Sequence, residues 1–262
     1  MKTLIPLPAM PEFLNGSPEI TKLLDKIRFE LEKQDDEGYY FEFGWFVREY
    51  SRAYRYHIQC SEYRLEKIFS IYKDAFDYFE DQIQNVEDNC FGMSFSNRNS
   101  NILYWEFESY LSSINVALDL LARIIGTAYK DHMPPSFNKI CKKDLDGPIR
   151  DLQNAKAIWV TRLKDYRDCF IHYTPVDTLL NISANLYSKG WEVRAKIPVN
   201  PNAREIMNFK YSRRVELLNY SISIYKHMRA LDKRISKTIF KLYKKKQYPV
   251  RISNLFSIGV RE

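Results

Sequence analysis

Apolar residues recur at helical spacing along most of the chain. Val47, Tyr50, Tyr54, Ile58, Leu65, Ile68, Tyr72, Ala75, Phe79, Ile83 and Val86 follow alternating steps of three and four, with Ser61 filling the one gap. That pattern predicts a long amphipathic helix in which a single break is allowed. Phe107, Leu111, Ile114, Leu118, Leu121 and Ile125 predict a second helix, ended by Gly126 or by the Pro134-Pro135 pair. Leu152, Ala155, Trp159, Leu163, Tyr166, Phe170 and Tyr173 predict a third, starting near Pro148 and stopping before Pro175. The fourth long stripe runs from Val215 to Leu242, and residues 18 to 34 read as a shorter helix near the start. One segment has the other period: Ile182, Ala184 and Leu186, then Lys189-Gly190, then Trp191, Val193, Ala195, Ile197 and Val199 alternate as a β-hairpin does. Residues 88 to 101 and 131 to 147 are polar or proline-bearing and read as loops. The expected fold is therefore mainly all-α, an antiparallel helical bundle with a small inserted β-hairpin at about 181 to 199.

Charge changes this picture in one place. The chain of 262 residues carries a net +7. Residues 204 to 251 hold fourteen Lys and Arg against three Asp and Glu, a local +11, and residues 1 to 203 are left at −4. Such asymmetry favours a polyanionic partner, although a lysine-rich helix is often only a solvated face. Lys142-Lys143, Arg213-Arg214 and Lys244-Lys245-Lys246 are the pairs and triplet able to track a phosphate backbone. The first ten residues lack the apolar core of a signal peptide, and the most apolar stretch, 114 to 126, contains Asp119 and Arg123. No membrane span is expected, and the four cysteines, outside any CxxC pair, agree with a reducing compartment, the cytoplasm.

Several chemistries are excluded. No two of the eight glycines stand close enough for a GxG turn, so dinucleotide and P-loop phosphate cradles are absent. His57, His132, His172 and His227 are far apart and form no HExxH or zinc-type cluster, so no sequence-local metal site and no cofactor is expected.

What remains is Tyr166-Arg167-Asp168-Cys169-Phe170-Ile171-His172-Tyr173, at the end of the third helix. On a regular α-helix Asp168 and His172, four apart, share a face, so the carboxylate can hold one imidazole nitrogen and select its tautomer. Arg167 lies about 140° from His172 on such a helix. Either the helix loosens here or two copies of the segment meet. Both Asp168 and His172 lie off the packing stripe and Arg167 sits at its border. The same spacing recurs in Arg52-Ala53-Tyr54-Arg55-Tyr56-His57, but there Ala follows the Arg and the segment lies in mid-helix.

The run Arg167-Asp168-x3-His172, closing a helix of a helical bundle, resembles the HEPN superfamily, whose signature is Arg, four to six residues, then His, with a polar residue commonly following the Arg. The helix Phe107 to Ile125, with its Ala117-Leu118-Asp119 run, is similar to the one that packs before the motif helix in that family. The resemblance covers roughly residues 100 to 240, with the hairpin as a departure, and suggests a division into an N-terminal helical region, 1–100, and a HEPN-like bundle, 101–262, together one compact unit. It implies a metal-independent endoribonuclease of toxin–antitoxin, phage-defence or stress systems, acting as a homodimer on RNA and restrained by an antitoxin or regulatory protein. Arg167 would steady phosphate oxygens, His172 would act as general base or acid, and Asp168 would orient. Tyr166 and Tyr173, beside the motif, are candidate stacking platforms for a base. The alternative is a catalytically silent module binding RNA, a nucleotide or a protein, its cations merely closing a helix at the negative end of the dipole.

Overall fold

A computed structural model describes residues 3–13, 17–32, 39–87, 90–95, 98–129, 136–173, 181–203, 205 and 208–245. The chain is mainly helical with one small antiparallel sheet. Helices α1 (Glu19–Glu32), α2 (Tyr39–Ile83) and α3 (Arg98–Tyr129) precede a single turn, α4 (Phe137–Ile140). The expected third helix runs from Pro148 to Tyr173 as α5 (Pro148–Ala155), a π turn (Lys156–Val160), α6 (Thr161–Asp168) and a second π turn (Cys169–Tyr173). Strands β1 (Gly92–Phe95), β2 (Ile182–Tyr187) and β3 (Gly190–Ala195) make the sheet, and α7 (Leu217–Lys245) follows it.

Most positions of the expected stripes are buried, while Tyr50, Val86, Val215 and Leu242, toward the ends of theirs, are half-buried. Along α2, which runs unbroken, Tyr54, Ile58, Ser61, Leu65, Ile68, Tyr72, Ala75, Phe79 and Ile83 are all buried. The second stripe is buried throughout, and α3 continues through the buried Gly126 to Tyr129, so that glycine does not end it. The Pro134-Pro135 pair lies outside the described residues. Within Ser100–Tyr129 lies a window long and apolar enough to cross a bilayer by length and composition, but 78% of it is buried inside the fold, where its hydrophobicity is used.

Two compact units divide the chain, each assembled from three segments. The first takes residues Met1–Phe13, Cys60–Ser112 and Arg162–Lys226. It contains the sheet, ordered β1-β2-β3, with Phe95 opposite Ile182 and Ile182 opposite Ala195. The expected hairpin is present, but its turn is Ser188-Lys189, with Gly190 opening β3. Gly190 has φ 132°, and a Cβ there would stand 2.7 Å from the Thr3 carbonyl oxygen. Glycine is needed because residues 3 to 5 add to the free edge of β3: Trp191 N–H donates to Thr3 (3.0 Å) and Ile5 N–H to Trp191 (2.7 Å). Strand β1 corrects the expected loop at 88 to 101; its four residues are too few for a readable alternation, and the edge of β2 supplies the pairing. Tyrosine hydroxyls tie helix to strand: Tyr104 donates to the Lys196 carbonyl (2.9 Å), and Tyr72 accepts from the Ala195 N–H (3.0 Å).

The second unit takes residues Leu14–Gln59, Ser113–Thr161 and His227–Glu262. Its helix ends are satisfied from a distance. The Asp232 carboxylate of α7 accepts from the first two N–H groups of α1, Glu19 (2.8 Å) and Ile20 (3.3 Å), and from the Tyr54 hydroxyl (3.2 Å). Burial raises the Asp232 acid, while those donors pull it back down. Asp119 accepts from Phe137 N–H (2.9 Å) and so caps α4, the helical turn that replaces part of the loop expected at 131 to 147. Gly147, at φ 75°, leads into Pro148 at the first turn of α5, the place where proline loses no helical hydrogen bond.

Candidate active site

The motif helix is anchored on its inner side by aromatic packing within the first unit. Leu163, Tyr166, Cys169 and Phe170 are buried. Phe170 meets Phe107 of α3 edge-on at 5.2 Å between centroids and stacks on Tyr104 at 6.0 Å. Tyr166 lies edge-on to Phe107 (6.4 Å) and against Tyr220 (4.6 Å), and its hydroxyl donates to the Pro198 carbonyl at 2.5 Å. These contacts correct one expectation: Tyr166 has no free ring face for a base, because the core occupies it.

The outward side carries the polar groups. Arg167 donates through Nε (3.0 Å) and Nη2 (2.6 Å) to Asp168 Oδ1, the two side chains being 29% and 46% exposed. His172 and Ile171 are exposed. Between Asp168 and His172 the backbone widens into the π turn, which replaces the i→i+4 repeat with i→i+5. The wider turn lowers the angle between residues five apart, so Arg167 and His172 come closer to one face than they would on a regular α-helix. The Asp168 carboxylate holds the Arg167 guanidinium. The loosening of the helix expected as one alternative is present.

A residue that sequence reasoning missed sits one turn earlier. Burial, then the neighbouring Asp168 carboxylate, raise the Asp165 acid above its ordinary range, against the opposing pull of Arg162. Arg162 also reaches the Tyr166 ring (5.7 Å to its centroid) and hydroxyl (3.4 Å). Asp165 and Arg162 stand at i−3 and i−6 from Asp168, a spacing legible in the sequence once the helix is placed. The outward face thus reads Arg162, Asp165, Arg167, Asp168, His172.

Lys142 and Lys143 are exposed and belong to the second unit, whereas the motif belongs to the first. Arg213 is committed: it pairs with Glu192 at 2.7 Å and lies over the Tyr187 ring at 3.5 Å, so a phosphate would have to displace a carboxylate. Arg214 is exposed. Lys244 and Lys245 end α7, but their side chains, that of Tyr173 and all of Lys246 lie outside what the structure describes. The second Arg-x4-His spacing, Arg52 to His57, sits within α2, where burial lowers the His57 imidazole.

A cavity of about 560 Å³, unsuspected from sequence, lies wholly in the first unit, between the N-terminal segment Ile5 to Pro8, β3 and the start of α7. Glu216 is buried in its wall and accepts from the Tyr72 hydroxyl and from the N–H groups of Leu218 and Asn219, both at 2.8 Å. Burial raises its acid and these donors lower it.

Set against protein-family models, curated proteins and solved structures, the chain matches none of them.

Proposed function

We propose that the chain is a metal-independent endoribonuclease of HEPN type, acting through Arg167 and His172. The observation that carries this reading is the π turn over Cys169–Tyr173, whose widening brings the exposed His172 closer to the face of Arg167 than a regular helix would, on a helix packed from behind through Tyr166 and Phe170. Interruptions of this kind gather at functional sites because they aim side chains that a regular helix separates. The reaction follows from what such groups can do. His172 takes the proton of an RNA 2′-OH, the 2′-oxygen bonds to the adjacent phosphorus, and the bond from phosphorus to the 5′-oxygen breaks. Arg167 holds the charge that develops on the phosphate oxygens. Asp168 positions Arg167, and it must yield part of that guanidinium when phosphate arrives. The leaving 5′-oxygen needs a proton, and the motif has one histidine per chain. His172 of the partner subunit in a homodimer supplies it.

The test is an RNA degradation assay with the wild type and His172→Ala in excess EDTA. Cleavage by the wild type alone, leaving 2′,3′-cyclic phosphate and 5′-hydroxyl ends and sparing DNA and 2′-O-methyl RNA, supports the reading. Specific activity should fall on dilution through the dimer range. Identical degradation by both proteins, or EDTA-sensitive cleavage leaving 5′-phosphates, rejects it. The Arg167–Asp168 pair also favours a second reading, a silent HEPN-like module that binds RNA, a nucleotide or a regulatory protein through the same face, since a guanidinium already paired at 2.6 Å is in its resting arrangement. Binding of RNA by the wild type without cleavage selects that reading.

A further inference from the structure

The cavity beside β3 sorts its polar groups into those already paired and those left over. Glu192 accepts from Arg213 at 2.7 Å and lies 3.8 Å from Arg194 Nη1. Arg194, only 13% exposed, also donates to the Arg213 carbonyl. Glu216 is taken up by Tyr72 and by the Leu218 and Asn219 N–H groups. Two cavity groups remain: among the described residues, neither the guanidinium of Arg214 nor the side-chain amide of Asn219 has a protein partner. The N-terminal segment has the opposite character. Pro6 and Pro8 have no N–H, the Ile5 N–H is already donated to Trp191, and the side chains of Ile5 and Leu7 are aliphatic. The lining therefore offers uncommitted donors at Arg214 and Asn219 and hydrocarbon along the N-terminal segment.

From this arrangement we infer that the cavity binds a small monocarboxylic acid, its carboxylate on Arg214 and Asn219 and its apolar body against Ile5, Leu7 and the two prolines. A guanidinium fork matches two carboxylate oxygens, and an amide N–H adds a third donor. Charge count selects the head group. Three arginines face two carboxylates in the cavity, so one positive charge is uncompensated. A monoanion neutralises it, whereas a phosphate dianion adds a charge that Glu192 and Glu216 repel. The volume is within the range of roughly 300 to 1,000 Å³ that small-molecule sites occupy. This site is independent of the nuclease reading, and it assigns Arg214 to a small ligand in place of an RNA backbone.

The test titrates the full chain with acetate, hexanoate and 3-phenylpropionate, and with inorganic phosphate and hexyl phosphate, following the Arg side-chain Nε–H and the Trp191 indole resonances by NMR. Hexanoate and phenylpropionate should bind saturably, and acetate on the order of tenfold more weakly because it lacks the apolar body. Arg214→Ala should weaken hexanoate on the order of tenfold or more, with Arg214→Lys in between and unchanged circular dichroism in both. Three results overturn the inference: no saturable binding by any carboxylate, equal hexanoate affinity in folded Arg214→Ala, or tighter binding of hexyl phosphate than of hexanoate.

Discussion

The helical run from Pro148 to Tyr173 contains two π turns of five residues each, and they are built for different ends. In the first, Lys156–Val160, Trp159 is buried and stacks on His227 at 5.9 Å, and Thr161 Oγ1 donates to the Lys156 carbonyl at 2.9 Å, satisfying a backbone oxygen of the widened turn. Its exposed residues are Ala157 and Ile158, and the half-exposed Lys156 is its one charged residue, with no imidazole among the five. In the second, Cys169–Tyr173, the outward residues are Ile171 and His172, and Arg167 and Asp168 stand just before it. A widened turn alone therefore does not mark a site in this protein. An exposed imidazole with a guanidinium and a carboxylate just before it distinguishes the second turn from the first, whose one charged residue is Lys156.

That contrast can be broken most decisively by activity. His172→Ala and Arg167→Ala are each expected to lower RNA cleavage by about 10² to 10⁴-fold, with melting shifted little, since both side chains are outside the packed core. Loss of the fold in either variant would make the second turn as structural as the first. Trp159→Ala should show the reverse pattern. It empties a core position of the first turn and should cost about 3 to 5 kcal/mol in denaturant unfolding. If it leaves stability untouched, the packing role assigned to the first turn is wrong.

Further substitutions should have smaller effects. Asp168→Ala should reduce cleavage about tenfold by freeing Arg167 from its anchor, and Asp168→Glu should restore most of it. Complete loss with Asp168 replaced, beside activity retained without His172, would exchange their roles. Thr161→Val should destabilise by only about 0.5 kcal/mol, because the exposed Lys156 carbonyl it leaves can turn to water. The smallest expected change is electrostatic. Asp168→Asn removes a negative charge that raises the Asp165 acid, so the Asp165 carboxyl measured by NMR titration should move to lower pH. No movement would mean that the two carboxylates do not share the outward face.

The distribution of these features between sequence and fold has a physical cause. Helical stripes such as Leu65 to Phe79 and Leu111 to Ile125 were legible because periodicity is a local property: every third or fourth residue reports which side of its own helix is buried. The hairpin was legible for the same reason at period two, and the Arg167 to His172 run because its residues are neighbours in the chain. Strand β1 was not, since its pairing to β2 joins residues about ninety positions apart and its own four residues carry no pattern.

Tyr166 shows the limit most plainly. Its neighbours in sequence placed it beside a polar motif, but its hydroxyl is claimed by Pro198, thirty-two residues on, and its ring by Phe107 and Tyr220. The π turns, the capping of α1 by Asp232 and the cavity of Arg214 and Ile5 likewise depend on partners brought together only by folding. Which faces must be buried, and which residue types the motif offers, follow from the chain alone, because burial pattern and side-chain chemistry are written residue by residue. Folding was needed to settle that Asp168 holds Arg167, that the helix widens over Cys169–Tyr173, and which tyrosines are closed to a ligand. Those outcomes are set by competition for each donor, acceptor and ring face among groups far apart in the chain.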